Sequence, residues 1–201
     1  QVVGAQLGEE AIHTSLIAGA IGLIIVILFM ILVYRLPGLV AGIALLVYTA
    51  LMLVTLNAFD ITLTLPGIAG IILGIGMAVD ANVIIYARIR EEIAAGKSVL
   101  NSIQTGFHKA LSAIVDGNIT TLIAALVLGI LGSGSVKGFA YTLAMGIVLS
   151  MFSALVISRY LTLAFYALFA RDKKYYGEAK ERKPIDFLGR RKICFIISIV
   201  L

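Results

Sequence analysis

TLPGIAGIILGIGMAVDANVIIYARIREE, residues 64–92, is apolar for most of its length and carries one acid, Asp80, deep inside it. No charge occurs from 61 to 79, and the next ones after Asp80 are Arg88 and Arg90. Pro66-Gly67 suits the first turn of a helix, where a missing N–H costs nothing. At a rise of about 1.5 Å per residue, Asp80 lies roughly 21 Å beyond Pro66. The hydrocarbon core of a bilayer is about 30 Å thick, so one helix of this stretch spans it. A carboxylate lies within that span.

The rest of the chain repeats the pattern. Of its 201 residues, 61% are hydrophobic and only 13% charged. Uncharged windows run over 11–34, 36–59, 61–79, 117–136 and 138–158. No two-residue alternation accompanies them, and only helices or closed barrels satisfy their own backbone in lipid. The fold class is therefore all-α, a polytopic membrane helix bundle, with spans expected near 14–34, 37–57, 66–86, 115–132 and 138–158. A further apolar run starts at Ile193 and reaches Leu201, too short to cross, and reads as a further helix cut short. This composition excludes disorder, collagen and coiled coil, and the single cysteine, Cys194, excludes an internal disulfide or a Cys-x-x-Cys site.

Sixteen Lys and Arg residues set the orientation. All but Lys137 fall in the tail or in alternate loops on one side: Arg35, then Arg88 to Lys109, then Arg159 to Lys192. By the positive-inside rule that side is cytoplasmic and the N-terminal end lies outside. The net charge of +5 is thus a topology signal with a minor role at anionic lipid, and nucleic acid is not an expected partner. Residues 1–13 lack the charged and apolar regions of a signal peptide, so an earlier span and an extracytoplasmic domain are expected upstream. The expected organisation is an extracytoplasmic segment over 1–13, a transmembrane bundle over 14–170, a cytoplasmic linker over 171–191, and the start of another helix over 192–201. Between the third and fourth spans, Leu100, Ile103, Phe107, Leu111 and Ile114 repeat at helical spacing, which predicts an amphipathic helix along the inner interface.

Asp80 is the sharpest candidate for chemistry. An ionisable group in a span is costly and is expected to face a bundle interior or water, where it suits the binding and release of a proton. The bland alternative is a structural hydrogen bond to Asn82, Asn118 or a Thr on the next helix. Asp116, Asn118, Thr120 and Thr121 form a polar stripe at the start of the fourth span. They line a polar path with Asn82, or Asp116 merely complements a helix dipole and the others bond between helices. Gly67, Gly70, Gly74 and Gly76 are expected to pack helices closely, as a static seam or a sliding one. Ala95-Gly96-Lys97-Ser98 lacks the first glycine of a phosphate loop, His13 and His108 are too isolated for metal, and no nucleophile–base pair is visible.

Taken together, YRLPG (34–38), residues 64–92, GKSVLNSIQTGFHKA (96–110), DGNITTLIAAL (116–126) and KGFAYTLAMGIVLSMF (137–152) resemble the SecD/SecF protein-export family of the resistance–nodulation–division superfamily. KPIDFLGRRK (183–192) is similar to the opening of the SecF-type half and suggests a fused chain. The resemblance implies half of a resistance–nodulation–division-type transmembrane domain in the bacterial cytoplasmic membrane. It implies a non-enzymatic, cofactor-free role in late-stage polypeptide export driven by the proton gradient, with Na⁺ as an alternative ion. Asp80 is then the proton carrier. The implied partners are the SecYEG translocon, a SecF-like half, the unfolded polypeptide and membrane lipid. Another exporter of the superfamily, for lipid or drug, and a passive translocon scaffold are the competing readings. Tyr86-Ala87-Arg88 and Asp116-Gly117-Asn118 depart from the family's usual Phe-Glu-Arg and Asp-Ala-Asn without touching Asp80.

Overall fold

A computed structural model describes residues 5–60, 64–168 and 172–176, with side chains from Glu10 onward. Six α-helices follow one another: α1 (Ala5–Tyr34), α2 (Leu36–Ala58), α3 (Leu65–Ala94), α4 (Val99–Leu131), α5 (Ser135–Phe152) and α6 (Ser158–Leu168). A five-residue π-helical turn, Ser153–Ile157, joins α5 to α6 without a break. Among the described residues, five stretches are long and apolar enough to cross a membrane: α1 from Glu10, α2, α3, α4 and the α5–α6 run. These agree with the five expected spans, and no strand occurs among the described residues.

Local chemistry explains the boundaries. Arg35 takes a left-handed conformation, φ 56°, and reverses the chain between α1 and α2. Gly38 then lets the helices close, because a Cβ there would strike the Met30 carbonyl. Thr64 caps α3 by accepting from the Gly67 amide at 3.1 Å. Gly96, at φ 89°, ends the turn after α3, where a side chain would be strained.

α3 is the central helix and packs against α5, α4, α1 and α2. α1 is peripheral: only 6% of its most apolar window is buried, against 44% for α2. The main core lies toward the end that holds the α1–α2 and α3–α4 turns, where Tyr34, Ile85, Tyr86, Ile89, Ile103 and Phe107 meet.

Three expectations change. The helix of the first span begins at Ala5, ahead of the start expected near residue 14. The amphipathic segment is not a separate interfacial element but the first half of the 33-residue α4. Its stripe of Ile103, Phe107 and Ile114 is buried against α3, while Leu100 is half-buried and Leu111 is 44% exposed. Period alone cannot tell lipid from a neighbouring helix, and α3 supplied the apolar partner. Asp116 consequently lies in mid-helix, so the dipole reading of its charge fails. The charged tail from 177 to 192 and the final apolar run lie outside the described residues.

Candidate functional site: a carboxylate cleft between α3 and α4

Two outward steps of α3, Met77 and Asp80–Ala81, face Ala113, Gly117, Asn118 and Thr121 of α4 across a cleft of about 150 Å³. Small residues make the opening. Gly117 lines it with Ala81 and Ala113, and a Cβ would touch nothing there or at Gly76, which lies one turn before Asp80 outside the lining. Asp80 is exposed on this side of the bundle, with no hydrogen bond or ion pair among the described residues.

The flanking polar side chains are committed to their own helix. Asn118 donates Nδ2 to the Ile114 carbonyl at 2.7 Å, and Thr121 donates Oγ1 to Gly117 at 3.1 Å. A hydroxyl that spends its one donor this way keeps its oxygen lone pairs, and the amide keeps its oxygen together with a second N–H. The cleft therefore sets a carboxylate beside neutral acceptor oxygens and one remaining amide donor. It offers no cationic side chain of its own among the described residues.

Only part of the expected polar path is assembled. Asn82 lies two residues from Asp80 and so points to nearly the opposite side of α3. It is buried at 2% exposure and donates to the Ala78 carbonyl at 2.9 Å. Asp116 and Thr120 are exposed and line no part of the cleft, and Thr120 bonds back to the Asp116 carbonyl at 3.0 Å. Of the five residues proposed beside Asp80, Asn118 and Thr121 meet it. The alternative structural bonds from Asp80 to Asn82 or Asn118 do not form.

The glycines divide as well. Gly67 and Gly70 face Thr142 and the Gly138–Phe139 backbone of α5, and Gly74 faces Gly146 and the Tyr48 hydroxyl. They make a close α3–α5 seam. Gly76 does not belong to it, because two residues turn the helix by about 200°.

Sequence reasoning passed over two features near the end that holds the α3–α4 turn. Glu92, nearly buried, bridges Lys97 at 2.5 Å and Lys109 at 2.6 Å and pins the elbow between α3 and α4. Gly106 lies against the Ile89 backbone, where a Cβ would sit 2.9 Å from the amide nitrogen. An acid flanked by lysines five and seventeen residues later was the available signal for the first. The second had none.

Residues 1–167 match the family described as protein export membrane protein SecD/SecF, C-terminal. The chain is 55% identical over 163 residues to the protein translocase subunit SecD of Synechocystis, covering 81% of this chain and 34% of that protein. It is 43% identical to the protein translocase subunit SecDF of Bacillus subtilis, covering 98% of this chain and 29% of that one. Among solved structures, SecDF from Thermus thermophilus, described as a translocon-associated membrane protein, superposes with a TM-score of 0.88 at 37% identity. That match covers 98% of this chain and 27% of the other. The chain thus spans about a third of the length of such relatives.

Proposed function

Because the chain belongs to the SecD/SecF family of protein-export membrane proteins, we propose that it is the SecD-type half of a proton-driven motor for late-stage polypeptide export. Its multi-pass membrane character follows from five membrane-length helices and from that family. The reading is carried by one observation. A single carboxylate, Asp80, opens into a small cleft with Asn118 and Thr121 and has no counter-charge within the described chain.

A protonated Asp80 can lie against an apolar neighbour at modest cost, whereas the anion needs water or a cation. Each form therefore favours a different packing of the open α3–α4 face. A proton gradient that loads Asp80 from one side and unloads it to the other biases a two-state bundle. The missing cation is assigned to a SecF-like half, joined in the same chain or added as a subunit, which docks over Gly76 and Gly117. Close approach of a second helix is what small residues permit. The inner end carries Arg35, Lys97 and Lys109, which supports a cytoplasmic location for that end and an outside N-terminus. The SecYEG translocon and an emerging polypeptide are the proposed partners, with no enzymatic chemistry; H⁺ is the proposed ion, and Na⁺ would use the same oxygens.

The test is Asp80→Asn in the full-length protein, which keeps size and hydrogen bonding but cannot ionise. Folding, insertion and translocon association are expected to persist, while uncoupler-sensitive stimulation of export into energised inverted vesicles is lost. Full stimulation in the variant would replace the motor with a passive scaffold.

A further inference from the structure

The chain beyond α6 returns to the bundle. Lys173–Tyr176 forms one 3-10 turn, and Tyr176 at its end is completely buried while Tyr175 stays 44% exposed. Arg35, in the α1–α2 turn, donates Nη1 to the Lys174 carbonyl at 3.1 Å. Tyr176 joins the inner core with Tyr34, Tyr86 and Ile89. Burial pushes its phenol up, and the neighbouring phenols of Tyr166 and Tyr86 push it the same way. Its hydroxyl has no partner among the described residues, so apolar packing of the ring is what holds it.

The same cluster contains the inner end of α3. Tyr86 shares a hydrogen bond with the Ser158 hydroxyl of α6 at 2.6 Å, and its ring centroid lies 6.1 Å from that of Tyr34. The Arg90 guanidinium sits 5.5 Å from the Tyr34 ring centre. Tyr86 follows Asp80 by six residues, about 9 Å along one continuous helix.

We propose that Tyr176 is an anchor that fastens the segment after α6 to the inner end of α3, so that a shift of the Asp80 helix is passed on to the chain beyond. A helix moves nearly as a rod, and packed interfaces switch between discrete arrangements instead of stretching. A segment keyed into the α3 end must follow it. The transmission rests on the proton-driven reading above; the anchoring does not.

The experiment places a spin label at Lys174→Cys, an exposed side chain, as the sole reactive thiol of the full-length protein in liposomes. An immobilised label is expected with Tyr176 and with Tyr176→Phe, which keeps the ring, and loss of the immobilised component with Tyr176→Ala. A label already mobile with Tyr176 present, or one unmoved by Tyr176→Ala, overturns the anchor. For transmission, Asp80→Asn is expected to change the label's spectrum when Tyr176 is present and not in Tyr176→Ala. Tyr176→Ala is also expected to lose gradient-dependent export that Tyr176→Phe retains. Unimpaired export by Tyr176→Ala refutes transmission even if the label confirms the anchor. The motor reading falls separately, on Asp80→Asn alone.

Discussion

Asp80 and Glu92 are carboxylates on the same helix in opposite circumstances. Glu92 closes on two lysines and fixes an elbow, while Asp80 opens into a cleft without a partner among the described residues. The paired acid holds structure, and the proton-carrier role proposed above rests on the unpaired one. Tyr48 shows a third outcome for a polar group in a membrane protein. Its ring is fully buried, and its hydroxyl lies at the Gly74–Gly146 notch without a hydrogen bond among the described residues. Leaving a buried hydroxyl unpaired costs about 1–3 kcal/mol. Tyr48→Phe removes that hydroxyl and keeps the ring, so the variant is expected to resist denaturant better than the parent in detergent. A clear loss of stability would mean that the hydroxyl is bonded after all.

At the scale of the element, α3 presents one surface to α5, one to α4 and one to the outside. Gly67, Gly70 and Gly74 meet α5, Ile89 meets Gly106 of α4, and Gly76 with Asp80 faces outward. Spacing along one helix decides this, since each residue adds about 100°. Two glycines of α4 test the assignment against each other. Gly106→Ala forces a methyl into the Ile89 backbone, and overpacking of this kind costs about 1–3 kcal/mol. Gly117→Ala meets nothing and should stabilise the isolated chain by about 0.5–1 kcal/mol through lost backbone freedom. Equilibrium unfolding of both variants in detergent checks the pair. Equal effects would refute the packing of α4 on α3.

For the whole molecule, the described helices alternate in direction. The α1–α2 turn, the α3–α4 elbow and the Lys173–Tyr176 turn share one end, while Ser133 and Lys137 lie near the other. The basic residues concentrate at the first end, and the positive-inside rule makes that end the expected cytoplasmic one. Cysteines at Lys97 and Ser133 are expected to react with an impermeant thiol reagent from opposite faces of the membrane. Ser133→Cys should react in intact cells and Lys97→Cys in inverted vesicles. Reaction of both from one face would undo the topology.

The five spans were legible because lipid imposes a single test, about 20 residues without charge, and the charge gaps meet it. Asp80 was legible for the same reason, as the lone acid between Asp60 and Arg88. Direction around a helix was not. Asn82 turned inward, Gly76 turned outward, and Asn118 with Thr121 reached the cleft while Asp116 and Thr120 did not. In water, hydropathy marks the inner face of a helix. In a bilayer the lipid is as apolar as a neighbouring helix, so the inward and outward sides carry the same residues. Which glycines make a seam, whether an amphipathic stripe meets lipid or α3, and where Tyr176 comes to rest are settled only when the helices pack. Membrane partition was determined by the sequence one segment at a time, whereas the polar cleft depends on the angle between α3 and α4, a property that belongs to neither helix alone.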